Sequence, residues 1–81
     1  METIYLIETK NDKLLRWRFE EVHTKSEYGN GKYAIIVNLD TSELIAYVDV
    51  RYHINFNFET FCVGYIEGYF KKNLERCYKE D

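Results

Sequence analysis

The sequence predicts an α+β domain: a four-stranded antiparallel β-meander with one C-terminal α-helix packed on one face (ββββα). Three observations carry this. Between Leu44 and Phe58 every second residue is apolar (Leu44, Ala46, Val48, Val50, Tyr52, Ile54, Phe56 and Phe58), the period of a strand with one face in a core. Shorter β-rich stretches separated by polar turns precede it. From Asn57 onward the apolar period becomes that of a helix.

The first strand is Thr3 to Thr9, closed by the polar turn Lys10-Asn11-Asp12-Lys13, with a second strand from Leu14. A turn centred on Asn11-Asp12 sets Leu6 opposite Trp17 and Ile4 opposite Phe19. Ile4, Leu6, Leu15, Trp17 and Phe19 then share the core face. In the second strand the apolar parity changes from odd (15, 17, 19) to even at Val22, which predicts a bulge near Glu20-Glu21. Asn30-Gly31 is a strong hairpin signal, and a tip there pairs Tyr28 with Tyr33.

Tyr33 to Leu39 forms the third strand. Placing Thr41-Ser42 at the next tip sets Leu39 against Leu44, Val37 against Ala46, Ile35 against Val48 and Tyr33 against Val50, with both apolar sets on one face. The fourth strand's pattern spans about 50 Å at ~3.3 Å per residue, too long to pair fully. Pairing should stop near Tyr52-His53, with Ile54 to Phe58 bending over the sheet end or pairing with another chain. Asn57 then caps a helix running to about Lys79, with Glu59 in its first turn. Cys62, Ile66, Tyr69, Phe70 and Cys77 form its apolar stripe, and Glu67, Lys71, Glu75 and Lys79 a solvated ladder at i, i+4. Its ~33 Å length is enough to roof the meander as a second layer.

The 81 residues make a single domain, 1–81. One Trp, eight Tyr and five Phe against two Ala supply the large apolar groups that so short a chain needs. The balance of 46% hydrophobic and 31% charged residues is that of a globular chain. A net charge of −3 argues against a duplex-binding domain, which depends on a basic surplus. No apolar run approaches the ~20 residues of a membrane span, and Met1-Glu2-Thr3 does not begin a signal peptide. Two Cys are too few for a disulfide scaffold. A cytoplasmic protein with free thiols is expected.

Chemistry is sparsely encoded. His23, His53, Cys62 and Cys77 lack the close pair spacing of a zinc site, and no metal or other cofactor is expected. Cys62 beside His53 lacks an oxyanion loop and an orienting third residue, and no carboxylate pair is placed for acid–base work. The chain reads as a non-enzyme.

Two surfaces invite a partner. Gly64 and Gly68 lie one turn apart in a helix, where each costs about 1 kcal/mol relative to Ala. With Phe61 beside them they suit the close approach of another backbone. The sheet face opposite the helix is predicted to carry Tyr5, Ile7, Arg16, Arg18, Ala34, Ile36, Asn38, Ile45, Tyr47, Asp49, Arg51 and His53. Ile7, Ile36, Ile45 and Tyr47 would then form a patch of the kind that marks a protein interface. The expected function is a small non-catalytic binding module, an inhibitor or accessory subunit of the size that mobile elements encode. Its partner is itself, as a homodimer, or another protein. The alternative is a stacking platform for single-stranded nucleic acid built from Tyr5, Tyr47, Arg16, Arg18 and Arg51.

Overall fold

Trp17 and Phe19 are two large apolar groups on one face of a strand, and they define the inside of the molecule. The computed structural model describes residues 1–81 apart from Tyr28, Ile54 and the side chain of Ser26. It contains β1 (Glu2–Thr9), β2 (Leu14–Ser26), β3 (Gly29–Asn38), β4 (Glu43–Asp49), helix α1 (Phe58–Phe70), a 3-10 turn (Lys71–Asn73) and β5 (Leu74–Lys79). The strands form one antiparallel sheet in the order β4-β3-β2-β1-β5. The α+β class and the one α-helix agree with the sequence; the strands number five among the described residues, not four.

The fifth strand replaces the last third of the predicted helix. The helix stops at Phe70, about 20 Å long at 1.5 Å per residue, because Lys71, whose N–H makes the last helical bond to the Glu67 carbonyl, turns to φ 52°, ψ −121°. That left-handed backbone costs a non-glycine residue on the order of 1–3 kcal/mol. What offsets it is the edge of β1, against which Leu74 to Lys79 pairs with Ile7 opposite Cys77 and Leu6 opposite Tyr78. Cys77 and Leu74 still pack on the core, but from a strand. Apolar spacing alone does not separate the two outcomes, since a helix and an edge strand both deliver these residues inward.

Which face of each strand points inward also differs. Tyr5, not Leu6, lies opposite Trp17, and Ile7 opposite Leu15. The four-residue loop between β1 and β2, closed by Thr9 N–H to the Lys13 carbonyl at 3.0 Å and with Asp12 at φ 59°, shifts the register by one. The core is therefore Tyr5, Ile7, Trp17, Phe19, Ile36, Phe58, Cys62 and Ile66, while Ile4 and Leu6 face out opposite Arg18 and Arg16. The ring of Tyr5 meets Phe19 edge-on at 5.6 Å, and Trp17 contacts Tyr69 at 4.8 Å and Phe70 at 5.0 Å.

Strand β2 pairs with β3 in unbroken register from Trp17–Asn38 to Ser26–Gly29, so no bulge occurs at Glu20-Glu21. Val22 simply faces outward. Ser26 pairs with Gly29 and Lys25 with Asn30, so the hairpin does not turn at Asn30-Gly31. Of the predicted Tyr28–Tyr33 pair, Tyr28 lies outside the described residues, and Tyr33 pairs with Val22 and Asp49. Gly29 carries the positive φ, 126°. Gly31 is needed for a different reason: a Cβ there would collide with the Tyr33 ring and the Thr24 hydroxyl. The bulge instead sits in β4, where Ile36 faces Ala46 but Val37 faces Leu44, leaving Ile45 as the extra residue. Ala34 and Ile36 thus point inward, and Tyr33, Ile35 and Val37 outward, the reverse of the predicted facing.

Regular pairing in β4 ends at Asp49, a few residues earlier than expected. Val50 is buried, as predicted, but Tyr52 is exposed. Beyond it the chain folds back over the sheet end, with Phe56 against Phe61 at 5.5 Å; Ile54 lies outside the described residues. Asn57 caps α1, its Oδ1 accepting from the Thr60 N–H at 2.9 Å, and Glu59 occupies the first turn.

Candidate interaction surfaces

The helix covers one face of the sheet, and alternation sends the other set of side chains away from it. Across β1 to β4 that outer set includes Ile4, Leu6, Val22, Tyr33, Ile35, Val37, Leu44 and Tyr47, with Tyr78 added by β5. Most of the apolar groups are half-buried by their neighbours. Leu44 and Tyr47 are the most open, at 56% and 54% exposure, and Tyr78 is exposed as well. Tyr47 lies flat on Tyr33, with ring centroids 4.7 Å apart and an interplanar angle of 21°.

The sequence-predicted residues divide between core and surface. Ile7 and Ile36 are 0% exposed and Tyr5 is 2% exposed, so none of the three is on the outer face. Ile45, the bulge residue, is half-buried against the core. Tyr47, Arg16 and Arg18 do face outward. Arg51 lies in the turn after β4, where it pairs with Asp49 at 3.0 Å and stacks over the Tyr52 ring. The signal that the reading missed is apolar residues at both parities in Ile4-Tyr5-Leu6-Ile7 and Tyr33-Ala34-Ile35-Ile36-Val37. Such strands are apolar on both faces, and only the facing of Trp17 and Phe19 decides which set is inside.

The charges on the outer face are internally matched. Arg16 pairs with Glu80 at 3.3 Å, and Arg18 lies 3.5 Å from Glu20 and 3.8 Å from Glu2. Arg76 grips Glu8 with two hydrogen bonds of 2.9 and 3.1 Å. Those bonds hold the Glu8 carboxyl below its ordinary range. All four arginines of the chain are thereby neutralised by its own carboxylates. Under the sheet's far end Glu21 is largely enclosed. Burial pushes its carboxyl up, but hydrogen bonds from His23 and Lys32 outweigh that and lower it.

On the helix, Gly64 and Gly68 are exposed, and a Cβ built on either meets nothing within 4 Å. Nothing in the chain's own packing requires glycine at these positions. Phe61 is half-buried between Phe56 and Tyr65. A shallow groove of about 390 Å³ lies along Gly64, Tyr65, Gly68 and Tyr69.

Cys62 is wholly buried, and burial pushes its thiol up to about 12, so it is protonated and shielded at neutral pH. Cys77 is also a free thiol. Among the described residues no three His, Cys, Asp or Glu side chains cluster as a metal site, and no helix is long and apolar enough to cross a membrane. Comparison of the chain with protein-family models, with curated proteins and with solved structures finds no match.

Proposed function

We infer that this chain is a small non-catalytic protein-binding module, of the inhibitor or accessory-subunit type, that docks a partner protein through the outer face of its sheet. The observation that supports this most is an apolar outer strip on β3 and β4, formed by Tyr33, Ile35, Val37, Leu44 and Tyr47 with Val22 beside Tyr33 and flanked by Arg18 and Glu20 of β2, over which no described element lies. Contiguous apolar surface flanked by polar groups suits a protein interface, and aromatic residues and arginine are enriched in such interfaces. A reducing, cytoplasmic setting fits the two free thiols.

Nucleic acid is the weaker reading. Tyr5 lies in the core and cannot stack a base, and Arg16, Arg18 and Arg51 are each engaged by a carboxylate of this chain. Phosphate binding would have to compete with those carboxylates at every arginine, without the basic surplus that drives it.

Leu44→Glu and Tyr47→Glu test the proposal, since both positions are exposed and neither change enters the core. Each variant should keep the wild-type circular dichroism spectrum and lose partner capture by at least tenfold, equivalent to about 1.4 kcal/mol. Light scattering on the same samples distinguishes a second copy from a foreign partner. Capture by both variants at wild-type level would remove the outer face from consideration.

A further inference from the structure

The geometry points to β5 as an exchangeable strand: the edge of β1 accepts the Leu74–Lys79 strand of a second copy of this chain in place of its own. Only Lys71–Asn73 separates α1 from β5, and its first residue, Lys71, holds φ 52°, ψ −121°. A lysine gains nothing from that left-handed backbone, which glycine would adopt freely. Short strained hinges favour strand exchange, because opening the hinge releases the strain while the exchanged contacts are unchanged.

The sequence at the hinge supplies the open form. Lys71 stands four residues after Glu67, the favourable order for an i, i+4 ion pair on a helix. Lys71 and Lys72 are also good helix formers. With Lys71 helical, α1 runs on through the hinge and carries β5 away from its own sheet. The helical period that continues past Phe70 thus describes a conformation that the closed chain gives up.

The contacts that hold β5 are separable from the rest of the fold. Arg76 grips Glu8, Glu80 accepts from Arg16, Lys79 reaches Glu59 at 3.1 Å, and the Glu80 N–H bonds to the Ile4 carbonyl at 2.8 Å. All of these form equally well between two chains. Of the contacts near the hinge, the Lys10 N–H to Asn73 carbonyl bond of 2.7 Å belongs to the closed turn. Closing within one chain benefits from an effective concentration in the millimolar range, so exchange appears as protein concentration rises toward that value. This surface is the sheet edge and is distinct from the outer face, so either proposal can fail alone.

The test is the mass distribution of the full chain from about 10 μM to about 1 mM by light scattering. Wild type should shift from monomer to dimer across that range. Lys71→Gly relaxes the closed turn and weakens the continuous helix, and should raise the dimer dissociation constant about tenfold per hinge. A second variant reads the connectivity. Glu8 and Arg76 are cross-strand partners, so Glu8→Cys with Arg76→Cys in a Cys77→Ala background places two thiols within disulfide reach. Oxidised as dimer and run on a denaturing non-reducing gel, it should migrate at twice the chain mass. A monomeric wild type throughout, a dimer that Lys71→Gly leaves unchanged, or a cross-link confined to one chain would each overturn the proposal.

Discussion

Ile36→Lys is expected to abolish the folded state, while Ile35→Lys one residue earlier leaves it folded. Ile36 is 0% exposed and lies in the core beside Trp17, Phe19 and Ile66. Losing its packing costs on the order of 2–5 kcal/mol, and burying an unpaired ammonium adds several more. An 81-residue chain has a net stability of only about 4–12 kcal/mol at 0.05–0.15 kcal/mol per residue, so the sum exceeds what the fold can absorb. Ile35 faces outward, between Glu20 and Tyr47 on the neighbouring strands. A lysine there meets the Glu20 carboxylate and keeps its charge in water, at a cost of about 1 kcal/mol or less. Urea unfolding followed by circular dichroism measures both. A folded Ile36→Lys with an unfolded Ile35→Lys would reverse the facing of β3.

The second large effect is loss of stability in alkali. Burial pushes the Cys62 thiol from 9.0 up to about 12 and the Tyr5 hydroxyl from 10.0 up to about 12. Both groups lose a proton more readily unfolded than folded. Their contributions are fully present below the unfolded values and are lost as pH rises through the folded ones, so stability falls between about pH 9 and pH 12. At 1.36 kcal/mol per pH unit, the two together remove on the order of several kcal/mol, a large part of the net stability. Urea midpoints at about pH 8 and about pH 11 should therefore differ sharply. Tyr5→Phe should flatten the upper part of the decline. It should cost little at neutral pH, because the Tyr5 hydroxyl has no protein hydrogen-bond partner. Equal stability at both pH values would contradict the burial of these groups.

The sequence made some elements legible and not others, for physical reasons. Asn57 as cap, Glu59 in the first turn, Cys62 and Ile66 inward, and the antiparallel order of the first four strands follow from local chemistry, and all are present. Facing in β1 and β3 was not legible, because both strands are apolar on both parities and alternation is silent there. Loop shape broke the tie: the turn with Asp12 in left-handed backbone shifts β1 against β2 by one, and in the β3–β4 hairpin, where Ser42 is left-handed, the tip shifts by two and the bulge at Ile45 takes one back, for a net shift of one. Leu74 to Lys79 failed differently, since its apolar spacing fits a helix and the edge of β1 outbid that preference. The outer surface inherits these errors, so Ile7, Ile36 and Tyr5 moved into the core while Ile35, Val37 and Leu44 took their place. Tyr47, Arg16 and Arg18 kept their place on the outer face, and Gly64 and Gly68 theirs on the exposed side of the helix.

The most direct measurement of the account is cross-strand backbone NOEs on the labelled chain. Five strands with Tyr5 opposite Trp17 and Ile7 opposite Cys77 predict contacts between those pairs and extended-strand patterns through Leu74 to Lys79. Helical i to i+3 contacts continuing from Phe70 to Lys79, or Leu6 in place of Tyr5 opposite Trp17, would contradict it.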